Sequence, residues 1–290
     1  FFNASLGCST PQPLQAKVPG VFERMLPNLD ATNKRSLACA GYYFMDLSSH
    51  LSVVVLNTVL YAAKHNPPYR PGSAMARDPM GQFAWLDNVL RAKTKQGQKV
   101  WIVGHVPPGY DSFEFAPMWL NEYVIKYMQL IETHAAIVMA QLYGHEHLNT
   151  YRLFPSGSAV RAPILISSSV SPIFGNIPTF RIVEYDRSSY ELEDFVSYGS
   201  TVGGTGQWAA RFRMTEEFGV PDLSAAALLE LTSRLETDSN MLKKYHQRKA
   251  DNDKLPWPQT GSDPNVWTEK KEVCAIKHLE QSAYEACLAA

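Results

Sequence analysis

Two short apolar segments, each running into a Gly-His pair, constrain this chain more than anything else in it. Val100–Val103 (VWIV) leads into Gly104-His105, and Ala136–Tyr143 (AIVMAQLY) leads into Gly144-His145. A helical pattern precedes each. Gly81–Thr94 carries Phe83, Leu86, Val89 and Leu90 on one face, and Asn121–His134 carries Val124, Tyr127, Met128 and Ile131. Unbroken apolar strands are buried on both faces, and helices alternating with such strands call for a layered α/β arrangement. Gly41–Leu60 adds a strand, a turn at Ser48–Ser49 and a buried strand Leu51–Asn57. Pro163–Ser168 and Phe180–Tyr185 read as further strands. This alternation runs to about Tyr198.

Beyond Gly206 the pattern turns helical. Trp208–Phe218, Leu223–Glu236 and Asn240–Lys249 are predicted helices, with Asp222 behind Pro221 as the cap of the second. The Gly-rich run Gly199–Gly206 marks a boundary between a domain over residues 1–203 and a helical subdomain over 204–290. The tail VCAIKHLEQSAYEACL carries Cys274 and Cys287. A loop of that length closes as a disulfide with a stabilisation of roughly 3 kcal/mol in the chain-entropy model, and two thiols on one amphipathic helix are the alternative. A disulfide would imply an oxidising compartment. Neither these cysteines nor Cys8 and Cys39 form a C-x-x-C pair, which excludes a zinc-ribbon spacing.

The formal net charge of −1 provides no global field for nucleic acid or an anionic membrane. No apolar run approaches the roughly 20 residues of a membrane span. No nucleophile elbow or phosphate loop of the Walker type occurs either. Nothing in the sequence sets the oligomeric state.

The chemistry therefore converges on the histidines. In open α/β sheets, sites form beyond the carboxyl ends of strands. Two such ends carry Gly-His, and the second extends to Gly-His-Glu-His, so His105, His145 and His147 are candidate ligands for a zinc-like ion. In a continuing strand His145 and His147 would share a face; in a tight loop they would diverge towards neighbouring ions. Glu146 points away from them. His50, His65, His134, His246 and His278 lack this context and read as structural or solvated.

GHVPPG and YGHEH resemble the last two ligand motifs of the calcineurin-like metallophosphoesterases. LNTVLY, DPMGQFAWLDNVL, KVWIVGHVPPGY and SSSVSPIFGNIPTFRIVEYD are similar to consecutive blocks of the acid sphingomyelinase-like phosphodiesterase branch, and the cysteine-containing tail is similar to its C-terminal helices. The resemblance implies a sandwich of two sheets flanked by helices, with the N-terminal strands missing, and a C-terminal helical subdomain. It implies two divalent ions, most commonly zinc, with His105 and His145 on one and His147 on the other. It further implies hydrolysis of a phospholipid head group or a nucleotide phosphodiester by metal-activated water, in an extracellular or lysosomal setting.

The family's D-x-H and G-D-x-x-D motifs are absent. Where its Gly-Asn-His motif stands, this chain has Leu6-Gly7-Cys8-Ser9, placing Cys8 at an Asn ligand and Ser9 at the assisting His. Three imidazoles bring no negative charge to offset two dications. The expectation is an incomplete or impaired hydrolase, with a pseudoenzyme on the same scaffold, or an endopolyphosphatase, as alternatives.

Overall fold

The structure is a computed structural model and describes residues 29–172, 176–200, 207–252 and 268–290, together with Arg24 and Leu26. Helix α1 (Ala31–Ala40) leads into a hairpin of β1 (Tyr43–Asp46) and β2 (Leu51–Val55). Then follow α2 (Gln82–Lys95), β3 (Lys99–Val103), α3 (Asn121–Thr133), β4 (Val138–His147), β5 (Thr150–Arg152) and β6 (Ile164–Ser168). These strands form one sheet in the order β1-β2-β3-β4-β6-β5. Its four central strands are parallel and both edges antiparallel. The expected α/β layering is what the helix-then-strand pattern requires, since a parallel neighbour needs a crossover.

Helices α2 and α3 bury the faces that their periodicity marks: Phe83, Leu86, Val89 and Leu90 on one, Tyr123, Val124, Tyr127 and Ile131 on the other. Met128 is only partly buried at the margin of that core. Trp119, Tyr61, Tyr123 and Tyr127 are fully buried in this layer.

A second sheet covers the opposite face. It is antiparallel, ordered β7 (Thr179–Tyr185), β8 (Leu192–Ser200), β9 (Trp208–Arg213). Val183, Phe195 and Phe212 from this sheet pack with Ala140, Leu142 and Leu165 from the first. Among the described residues five helices follow: α4 (Met214–Phe218), α5 (Ala225–Thr237), α6 (Ser239–Lys249), α7 (Glu269–Lys277) and α8 (Gln281–Ala289). Leu228, Leu231, Leu242 and Ile276 of these helices enter the same core as the two sheets.

Three expectations need correction. Trp208–Phe218 is not one helix: Trp208–Arg213 is a strand, because Ala209 and Trp208 pair with Gly199 and Ser200 of β8. Tertiary pairing overrides the helical preference of an Ala-Ala step here. The tail is two helices, not one; it breaks at His278, and Glu280 caps α8 by accepting from Ser282 N. The cap of α5 is Ser224, which accepts from Ala227 N, while Asp222 accepts from Ser224 N one step earlier. Cys274 and Cys287 form a disulfide joining α7 to α8. Cys8 and Ser9 lie outside the described residues.

Candidate functional site

The two Gly-His corners sit side by side because β3 and β4 are adjacent and parallel, with Val103 opposite Leu142. Gly104 N donates to Leu142 O at 3.0 Å, and Gly144 N donates to His105 O at 3.1 Å. The chain is thus stitched across the strand ends, and the imidazoles of His105 and His145 meet edge to face with centroids 5.2 Å apart.

Gly104 has a steric reason. A Cβ there would lie 2.6 Å from the Tyr143 ring and 2.8 Å from Thr58 Cγ2. Thr58, 1% exposed, in turn accepts from His105 N at 3.2 Å and Val106 N at 2.8 Å. Tyr143 is fixed from below: its hydroxyl donates to Tyr127, whose hydroxyl donates to Gln141 Oε1, and Gln141 Nε2 donates to Ala162 O. The His105 corner therefore rests on a buried, hydrogen-bonded floor.

The second corner is built differently. His145 and His147 both take left-handed backbone, with φ of 73° and 56°. The register of β4 against β6 shifts between Tyr143 and His147. His145 is exposed, Glu146 is 2% exposed and His147 is half-buried. Glu146 faces inward, as expected. Its Oε1 meets Arg152 Nη2 at 2.6 Å, and its Oε2 accepts from Ser112 N at 3.0 Å. Burial raises the Glu146 carboxyl above the usual range, against the pull of Arg152.

Packing against protein lowers the His105 imidazole below its ordinary value, and the charges of His145 and His147 add to the effect. Burial and then His147 likewise lower His145, with Asp111 acting in the opposite sense. Both rings are thereby biased to the neutral form, the form that ligates metals. The Asp111 carboxylate is engaged in its own turn, accepting from Phe113, Glu114 and Ala116 N–H groups.

The donor set fits part of a metal site. The imidazoles are of the right kind, and burial favours the neutral form of His105 and His145. Among the described residues, however, no group of three or more His, Cys, Asp or Glu side chains is arranged to hold an ion. Other histidines are engaged elsewhere: His134 Nε2 meets Asp87 at 2.9 Å, His65 stacks on Tyr69 with its Nδ1 on Pro67 O, and the exposed His50 Nδ1 meets Ser49 Oγ at 2.8 Å.

Thr58, Glu146 and Arg152 are the positions that sequence reasoning missed. Arg152 had a signal: a charge inside the apolar run TYRLF requires a buried partner, and Glu146 is a nearby candidate.

Residues 156–290 match the family model described as the acid sphingomyelin phosphodiesterase C-terminal region. A human protein named acid sphingomyelinase-like phosphodiesterase 3b is 30% identical over 81% of this chain and 53% of its own length. Sphingomyelinase phosphodiesterase C of Dictyostelium discoideum is 28% identical over 90% of this chain and 60% of its own. A rat protein named cyclic GMP-AMP phosphodiesterase SMPDL3A is 27% identical over 90% and 60%. The chain thus spans somewhat more than half the length of the curated relatives it matches. By sequence it is similar to the acid sphingomyelinase-like phosphodiesterases over most of its length, and its C-terminal part carries their C-terminal region.

Proposed function

We propose that this chain is a metal-dependent phosphodiester hydrolase of the sphingomyelin phosphodiesterase type, on a calcineurin-like sandwich followed by a C-terminal helical subdomain. His105 and His145 would hold one divalent ion and His147 a second, most commonly zinc. The observation that carries this is the meeting of the His105 and His145 rings at the carboxyl ends of adjacent parallel strands. A bound ion pair supplies an activated water and a clamp on phosphate oxygens. The chain's own part is to present neutral imidazoles from a fixed floor, with Gly104 allowing the close approach and Thr58 holding the loop. A phospholipid head group and a nucleotide phosphodiester are the substrate classes, in keeping with relatives named as an acid sphingomyelinase-like and a cyclic GMP-AMP phosphodiesterase. The Cys274–Cys287 disulfide supports an extracellular or lysosomal setting.

A second reading, a binding protein on the same scaffold, is favoured by one observation. No described carboxylate joins the imidazoles, so the charge of two dications lacks an offset. Zinc content and turnover of bis-p-nitrophenyl phosphate separate the two. The hydrolase reading expects bound zinc, below full two-metal loading, and slow turnover, both lost in His105→Ala and His145→Ala. Zinc without turnover favours the binding protein. A chain that takes up no zinc refutes the metal role.

A further inference from the structure

We propose that Arg152 is a positioning residue that, through Glu146, sets the backbone of both histidines of the GHEH turn and ties that turn to the loop carrying His105. Arg152 is 0% exposed. Its guanidinium spans the two loops. Nη2 donates to Glu146 Oε1 at 2.6 Å, to Tyr110 O at 2.8 Å and to Ser112 Oγ at 3.1 Å. Nε also reaches Tyr110 O, and Nη1 donates to Tyr151 O and Thr150 Oγ1. Ser112 N closes the ring by donating to the other Glu146 oxygen. Tyr110 and Ser112 follow His105 on its loop; Glu146 stands between His145 and His147.

A buried ion pair is a poor source of stability, because desolvating two charges offsets most of their attraction. Its effect here is on geometry. Left-handed backbone at a residue other than glycine costs about 1–3 kcal/mol, and two such residues flank Glu146. With Glu146 fixed inward, the His145 ring is turned to meet His105. Without the anchor, residues 145–147 can relax to ordinary extended backbone, and the imidazoles swing away from their present directions. The five N–H donors of a planar guanidinium suit this bridging role, which an ammonium cannot reproduce.

The geometric claim stands on its own; its consequence for ion binding rests on the metal role proposed above. The test uses the full chain with 13C,15N-labelled histidine, the signals being assigned by single His→Gln variants. Glu146→Leu/Arg152→Met removes both charges together and leaves neither one buried alone. Arg152→Lys keeps the charge and loses the fork, and it decides the matter if the double variant does not fold. In a variant whose melting temperature and far-ultraviolet circular dichroism show a folded chain, the His145 and His147 Cα and Cβ shifts should move towards extended-strand values. Those of His65 and His134 should stay in place. Cobalt(II), titrated by its visible absorption, should bind about tenfold more weakly. Unmoved His145 and His147 signals overturn the proposal; moved signals with unchanged cobalt affinity overturn its consequence for ion binding. If the unaltered chain binds no cobalt, the metal role fails and the histidine shifts alone decide this inference.

Discussion

The two Gly-His corners look alike in sequence and are held by opposite means. Gly104-His105 is built from below. Its glycine is demanded by the Tyr143 ring and Thr58, and its backbone is bonded to a buried hydroxyl. Gly144-His145 is built from behind. A Cβ at Gly144 would find only His105 Nδ1, at an ordinary 3.6 Å, and the turn is kept in left-handed backbone beside a buried carboxylate and guanidinium. The same dipeptide therefore marks a packing requirement at one strand end and an electrostatic one at the next.

Alanine at each glycine tests this difference most strongly. Both substitutions gain a little from the reduced freedom of the unfolded chain, about 0.4–1 kcal/mol. Gly104→Ala must also displace a buried tyrosine locked to Tyr127, an overpacking that costs up to about 3 kcal/mol. Gly144→Ala should be neutral or slightly stabilising. Chemical denaturation of the two variants with unchanged m-values reads the contrast directly. Equal destabilisation would mean that the two corners are held alike.

Thr58→Val comes next in size. It preserves the shape of a buried side chain while removing the acceptor for two backbone N–H groups. Leaving such donors unsatisfied costs about 1–3 kcal/mol, and Thr58→Ser should recover most of it. Amide exchange at His105 and Val106 should accelerate in the valine variant, while that at His147 stays as it was. Acceleration at both corners would show one shared support where the structure has two.

The legibility of the molecule follows the same division. Residues 100–103 and 136–143 were readable because parallel strands covered on both faces are continuous apolar runs, and their helices repeat at 3.6 residues. The proximity of His105 and His145 was readable because both follow a glycine at the end of an apolar strand, and those strands are parallel neighbours. Strands β8 and β9 were not, since a sheet with one exposed face mixes Glu193 and Arg211 among its apolar residues. Nor was Thr58, whose importance lies in a contact 47 residues away. Nor was the Glu146–Arg152 pair, because only the β4–β6–β5 arrangement brings the two charges together.

The smallest effect separates the corners by their protonation. Burial lowers His105 and His145 below the ordinary imidazole value of 6.5. A base whose folded pKa is depressed binds fewer protons folded than unfolded. Its contribution to stability is therefore complete above about pH 6.5, and it is lost as pH falls from there through the folded value. Asp111 opposes the shift at His145 and has no counterpart among the causes acting on His105. Asp111→Asn should thus lower His145 further and leave His105 nearly unmoved in an NMR titration of the metal-free chain. The denaturation midpoint should fall on acidification from neutral pH, and less steeply in His105→Gln or His145→Gln. Equal movement of both histidines in Asp111→Asn would mean that the two rings titrate as one coupled unit. The corners would then be distinct in how they are built and indistinguishable in how they take up a proton.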